Sequence, residues 1–229
     1  MSNNKINIKA GIKDAFIDNK KIILTVTIIF VASLIIGFLF IDYLKVYMNP
    51  VVNIFQQKIQ SGQVQLTTSS LYLNNLQSSL LIFIGSFLLG VFGILALIVN
   101  ALLIGYFGAI YYLNGNFSVF LLLLLPHGIF ELTSLILASS AGFITLKFLI
   151  NFIRNLISPD YSYSDIFDPI YNLDKISNVD KIKMSWRKNS KTLKQAIIIL
   201  IISIILLLIA AFIEANITKQ LASFILNSI

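Results

Sequence analysis

The chain has 229 residues, 57% of them apolar and 12% charged, with a mean hydropathy of +0.87, far more apolar surface than a soluble domain can bury. It contains no cysteine, which excludes disulfide frameworks, thiolate metal sites and cysteine nucleophiles. The net charge of +7 is concentrated in segments flanking apolar runs, where basic residues orient a membrane protein and meet anionic headgroups, so no nucleic-acid partner is expected.

Residues 1–21 hold Lys5, Lys9, Lys13, Lys20 and Lys21, with Ile8, Ile12, Ala15 and Phe16 at helical spacing. They read as a cytoplasmic segment, either an amphipathic helix on the membrane surface or a frayed tail. The apolar run 22–41 has the length of a spanning helix and is followed by Asp42-Tyr43-Leu44-Lys45 rather than by small residues, so a retained anchor is expected instead of a cleaved signal. Residues 22–229 are then one membrane domain. In the connector 42–70, Asn49 suits an N-cap and Pro50 a first helical position, and Val51, Val52, Phe55 and Ile59 share a face. An amphipathic helix ending near Gly62 is expected there.

Thr67, Thr68, Ser69 and Ser70 offer caps for a second span over 71–99, with Asn74 and Asn75 in its first turns. Residues 71–113 would make ~64 Å of helix, twice the ~30 Å hydrocarbon thickness, so the chain must fold back, and Asn100 is the expected place. Asn114-Gly115-Asn116 is a turn signal. The apolar stretch 117–125 is too short to cross and stops at Pro126 and Gly128, which disfavour helix. It is either part of a span broken at the turn or a re-entrant segment, and the second is preferred; re-entrant backbone must be buried in protein or line a wet cavity. A fourth span follows over 129–153. Residues 154–195 form a polar cytoplasmic loop with five aspartates, then Lys181, Lys183, Arg187, Lys188, Lys191 and Lys194 around Trp186, a pattern suited to anionic lipid. Residues 196–213 are the fifth span.

An all-α polytopic bundle of about five spans with one re-entrant or broken segment follows. Five basic residues in the N-terminal segment and eight in 154–195, against two in 42–75 and none between Lys58 and Lys147, place the N-terminus in the cytoplasm and the C-terminus outside.

Within this apolar chain stand the only histidine, His127, and the only two glutamates, Glu131 and Glu214. An ionisable residue inside a span costs roughly 2.5–3.5 kcal/mol on insertion scales, so each marks function or a specified contact. His127 and Glu131 are four apart and share a helical face, and the topology puts Glu214 at a similar depth. The candidate cluster is His127, Glu131 and Glu214, with Asn100, Asn74 and Asn75 as further polar members. It is either a proton or ion relay or a packing junction that caps the break at Pro126. A single histidine in a His-x-x-x-Glu spacing lacks the ligand count of a zinc site, and no serine and aspartate accompany it, so neither metal nor hydrolytic chemistry is expected. No cofactor is implied. Small residues recur at four-residue intervals at Ala101, Gly105 and Ala109, at Ser134, Ala138 and Gly142, and at Ser86 and Gly90, a spacing that lets helices approach closely, within the bundle or in a homo-oligomer.

The run LNNLQSSLLIFIGSFLLG from Leu73 to Gly90, Asn100, the Asn114-Gly115 turn, PHGIFEL with the later Ala141-Gly142, and IEANIT from Ile213 to Thr218 together resemble the stage II sporulation protein M family. The resemblance spans roughly 22–218, and Pro126-His127-Gly128 with Glu131 is its most specific part. It implies a non-enzymatic membrane component that works with protein partners, since members in endospore formers act in a membrane complex with a cell-wall hydrolase that drives engulfment. Members also occur in organisms that form no spores. The rival reading, from the intramembrane acids beside the expected helix break, is a transporter of small solutes, lipids or ions.

Overall fold

The computed structural model describes residues 8–61, 68–88, 90–157, 177–218 and 220–221. Gly62, Thr67 and residues 158–176, on which some expectations fell, lie outside them. Among the described residues every element is helical: α1 (Ile8–Asp18), α2 (Lys20–Leu39), α3 (Ile41–Gln60), α4 (Thr68–Leu88), α5 (Val91–Leu113), α6 (Phe117–Ile157), α7 (Asn178–Ile213) and a π-helical turn, Glu214–Thr218. Five of them, α2, α4, α5, α6 and α7, are long and apolar enough to cross a membrane. The protein is a multi-pass membrane helix bundle.

The apolar stretches of the spans bury only one stripe each. In α2, Val26, Phe30, Ser33 and Gly37 face inward while Leu24, Ile28, Val31, Ile35 and Leu39 are exposed. In α7, Ile199, Ser203, Leu207 and Ala210 face inward and Ile197, Ile201, Ile205 and Phe212 outward. Apolar faces this extensive are stable against lipid and not against water.

The spans meet through small residues. On α2 and α5 two glycines sit opposite partner backbone: Gly37 against the carbonyl of Leu102, and Gly105 against that of Leu34. Gly142 of α6 fits against Phe83 and Ser86 of α4. Polar contacts join the same surfaces. Ser134 Oγ lies 2.9 Å from the Ser203 carbonyl, and Ser203 Oγ lies 3.0 Å from that of Ser134, a reciprocal hydrogen-bonded pair between α6 and α7. Ser86 and Ser139 hydroxyls stand 3.3 Å apart between α4 and α6. In a lipid surrounding, close backbone approach and such bonds drive association because apolar contact is equally good with acyl chains.

Several expectations are corrected. The fold-back between the second and third spans is at Gly90, whose φ of 64° is the left-handed conformation that glycine adopts without strain. Asn100 instead lies inside α5, its side-chain amide donating to the Ala96 carbonyl at 2.8 Å, so its polarity is absorbed by its own helix. The Asn114-Gly115 turn is present, with Gly115 at φ 73°. The re-entrant or broken segment is absent: α6 runs unbroken for 41 residues, ~61 Å, through Pro126 and Gly128. Pro126 removes one N–H donor but sits in a helix braced along its length by α5 and α7, where neighbours compensate. The first turns of α6 are held by aromatic rings: Phe117 contacts Phe38, Tyr112 and Phe120 at centroid distances of 5.9, 5.9 and 6.0 Å, and Phe120 also contacts Tyr111. This clamp closes the α5–α6 hairpin, so 117–125 continues as helix beside α5.

Asn49 does not cap a helix. Helix α3 starts at Ile41 and passes through Pro50, and Asn49 Oδ1 accepts a 2.6 Å hydrogen bond from the Tyr106 hydroxyl, docking α3 on α5 beside buried Met48 and Val52. The basic end of 154–195 is also helix, the first turns of α7, capped by Ser177. Ser185 bonds the Phe152 carbonyl at 2.9 Å and Trp186 meets Phe148 edge-on, so this extension packs along α6.

The N-terminal amphipathic helix forms as α1. Its Ala15 is fully buried with Ala196 and Ile199 of α7. Asp18 pairs with Lys191 at 2.8 Å and accepts a 2.7 Å bond from Gln195. The lysine and then the glutamine hold the Asp18 carboxyl below its ordinary pKa. A depressed carboxylate pKa stabilises docking above the unfolded pKa and loses that contribution as pH falls through the folded one. Docking of α1, read by the anisotropy of a fluorophore on the helix, should therefore be flat through neutral pH, weaken below about pH 4 and weaken at high salt, because the pair is exposed.

Candidate functional site

The structure brings three of the singled-out residues together where the early part of α6 meets the end of α7. His127 and Glu131, one turn apart on α6, face α7, with His127 Nε2 3.9 Å from Glu131 Oε2. Glu214 opens the π-helical turn, and ligand atoms of His127, Glu131 and Glu214 all lie within 4.8 Å of one another. All three side chains are half-buried. They can face each other because helix continues through Gly128, which keeps the four-residue spacing on one face.

The fourth member is Thr218. Its hydroxyl lies 3.2 Å from His127 Nδ1, and its side chain is buried. This contact turns the other ring nitrogen, Nε2, toward the carboxylates. Sequence reasoning passed over Thr218, although it stands four residues beyond Glu214 in the same IEANIT run and that spacing was its signal. The wider π turn carries both residues against α6; π turns recur at functional sites.

The other expected polar members are elsewhere. Asn100 is bonded within α5. Asn74 is exposed near the start of α4 and its carbonyl accepts from Ser78 Oγ at 3.2 Å; Asn75 is half-buried one residue on. A cleft of about 220 Å³ between α5 and α6 opens onto His127, lined by Ile104, Phe107, Tyr111, Phe120, Leu123 and Leu124. Its lining suits an acyl chain better than a hydrated ion.

Chemically, the arrangement offers one imidazole nitrogen and two carboxylates converging from two helices, with the imidazole oriented from behind by a hydroxyl. It can hold a proton, hold a cation, or tie α6 to α7.

Compared with known proteins, residues 26–219 match the family described as Stage II sporulation protein M. An uncharacterized protein of Methanocaldococcus jannaschii is 27% identical over 220 residues, covering 92% of this chain and 87% of the relative. A second uncharacterized protein of the same organism is 30% identical over 165 residues, covering 72% of this chain and 78% of the relative. No solved structure matches.

Proposed function

The chain belongs to the stage II sporulation protein M family, and from that premise we propose that it is a non-enzymatic component of a membrane assembly that acts in envelope remodelling. The match across 26–219 carries this reading, since it reaches into all five spanning helices and includes the polar junction. The packing supports it. Glycine contacts on backbone and serine pairs within the bundle suit a fixed scaffold better than a rocking carrier, whose halves must separate. The basic extension of α7, with Lys183, Trp186, Arg187 and Lys194 exposed, is the proposed contact with anionic lipid on the cytoplasmic side, with the C-terminus outside. The uncharacterized relatives come from an archaeon, so the proposed role is the general one of assembly and not sporulation itself.

The three ionisable residues that converge inside the bundle favour a second reading, ion-coupled transport. Gentle affinity purification of the tagged full chain from native membranes, together with flux assays in proteoliposomes, separates the two. Stoichiometric recovery of an envelope hydrolase with no flux of protons or cations is the expected result. Flux that Glu131→Gln abolishes, with the chain recovered alone, would replace assembly by transport.

A further inference from the structure

We propose that His127, Glu131 and Glu214 form a binding site for a divalent transition-metal cation of the Zn2+ or Mn2+ class, which joins α6 to the π-helical turn. His127 and Glu131 alone lack the ligand count of a zinc site. The fold supplies the missing donor from 83 positions away, and the three ligand atoms already lie within 4.8 Å of one another. Ligands about 2.0–2.2 Å from a tetrahedral ion sit ~3.4 Å apart, so the 3.9 Å between His127 Nε2 and Glu131 Oε2 needs to close by roughly half an ångström, and separations up to the 4.8 Å bound by at most roughly 1.4 Å, which side-chain torsions can supply.

Three further observations point to a cation. Thr218 Oγ1 lies 3.2 Å from Nδ1, so Nε2 is the nitrogen turned to the acids, the outer-shell arrangement that fixes metal-binding histidines. The donor set mixes imidazole with carboxylate, which suits zinc, iron or manganese better than the all-oxygen sets of calcium or magnesium. The charges also match: with both carboxyls ionised, as metal ligands must be, and the imidazole neutral, the three side chains carry −2, which one divalent ion balances. Among the described residues the ion-pair partner of Glu131 is His127 alone, and Lys147 lies 16 residues along α6, ~24 Å away. Lys219 adjoins Thr218 in sequence and lies outside the described residues. It is the alternative source of neutralising charge, and the test must separate it from a metal.

The full chain, purified in detergent and stripped with a chelator, is titrated with Zn2+ and Mn2+ by calorimetry, and its metal content is measured after desalting. Cobalt substitution reports coordination by its visible absorption. One ion per chain is expected, with a rise in melting temperature. Glu131→Gln and Glu214→Gln should each lower affinity at least tenfold, and Thr218→Val by about tenfold, as outer-shell changes do. Gel filtration and far-ultraviolet circular dichroism verify folding, and Thr218→Val, which keeps all three ligands, serves if a glutamine variant does not fold. The proposal is overturned if the wild-type chain retains no ion, if the double glutamine variant binds equally well, or if Lys219→Met is what first creates metal binding, since lysine then holds the acids in the native protein. Metal is read on the isolated chain and assembly by recovery of partners, so this inference and the proposed function fail separately.

Discussion

Gly105→Val should cost about 3 kcal/mol and leave little folded protein, read as a lowered melting temperature and loss of the monodisperse peak in detergent. A Cβ at position 105 would strike the Leu34 carbonyl and stand 2.8 Å from the Phe38 amide nitrogen, both backbone of α2. Backbone cannot rotate aside, so α2 and α5 must separate, and overpacking of this kind costs roughly 1–3 kcal/mol, occasionally more, against a total stability of only about 5–15. Gly37 makes the mirrored contact on Leu102, so Gly37→Val with Gly105→Val should cost less than the sum of the two, both acting on one interface. Gly108→Ala is the control. Its Cβ would lie 3.1 Å from the Phe120 ring, a side chain that can shift, and under about 1 kcal/mol is expected. Wild-type stability for Gly105→Val would show that α2 and α5 are not held as described.

Gln195→Leu should release α1 from the bundle. The Gln195 amide donates to Asp18 Oδ2 at 2.7 Å and accepts from Asn19 Nδ2 at 3.0 Å, joining the α1–α2 junction to α7. Asn19 is 2% exposed, and its Oδ1 is without a hydrogen-bond partner among the described residues. Leucine would remove both bonds and leave the buried Asn19 amide only its 2.9 Å bond to the Ala15 carbonyl, a loss of about 1–3 kcal/mol. Hydrogen exchange over 8–18 should quicken while α5 and α6 keep their protection. Unchanged exchange in α1 would mean that Ala15 packing and the Asp18–Lys191 pair dock the helix without Gln195.

Membrane class, the number of spans and the polar triad were legible in the sequence because each depends on residue type and spacing alone. Glutamates at 131 and 214 stand out in any apolar run, and a helix of period 3.6 puts His127 beside Glu131 wherever it lies. The stripes containing Gly105 and Gly142 are likewise visible as four-residue repeats, and both prove to be contact surfaces. Errors arose where a local signal met a tertiary constraint. Pro126 and Gly128 weaken an isolated helix, but aromatic rings from α2 and α5 grip its first turns and α7 packs alongside. Asn100 marked a turn on polarity, yet its amide donates to the Ala96 carbonyl within α5 and Gly90 turns the chain instead. Asn49 matched a cap because Pro50 follows it, and its partner Tyr106, 57 residues on, could not be read from local pattern.

Composition and period thus settled that this chain lives in lipid and which few ionisable groups it places there, because the energetic penalty for polar groups in a membrane acts on each residue separately. Only the tertiary structure decided what those groups face. The α6–α7 contact aligns Glu214 with His127 and Glu131, and the π-helical turn brings Thr218 to the imidazole, contacts that depend on two helices packing in one register. That register is set by Ser134 against Ser203, buried small residues whose pairing no spacing within either helix specifies.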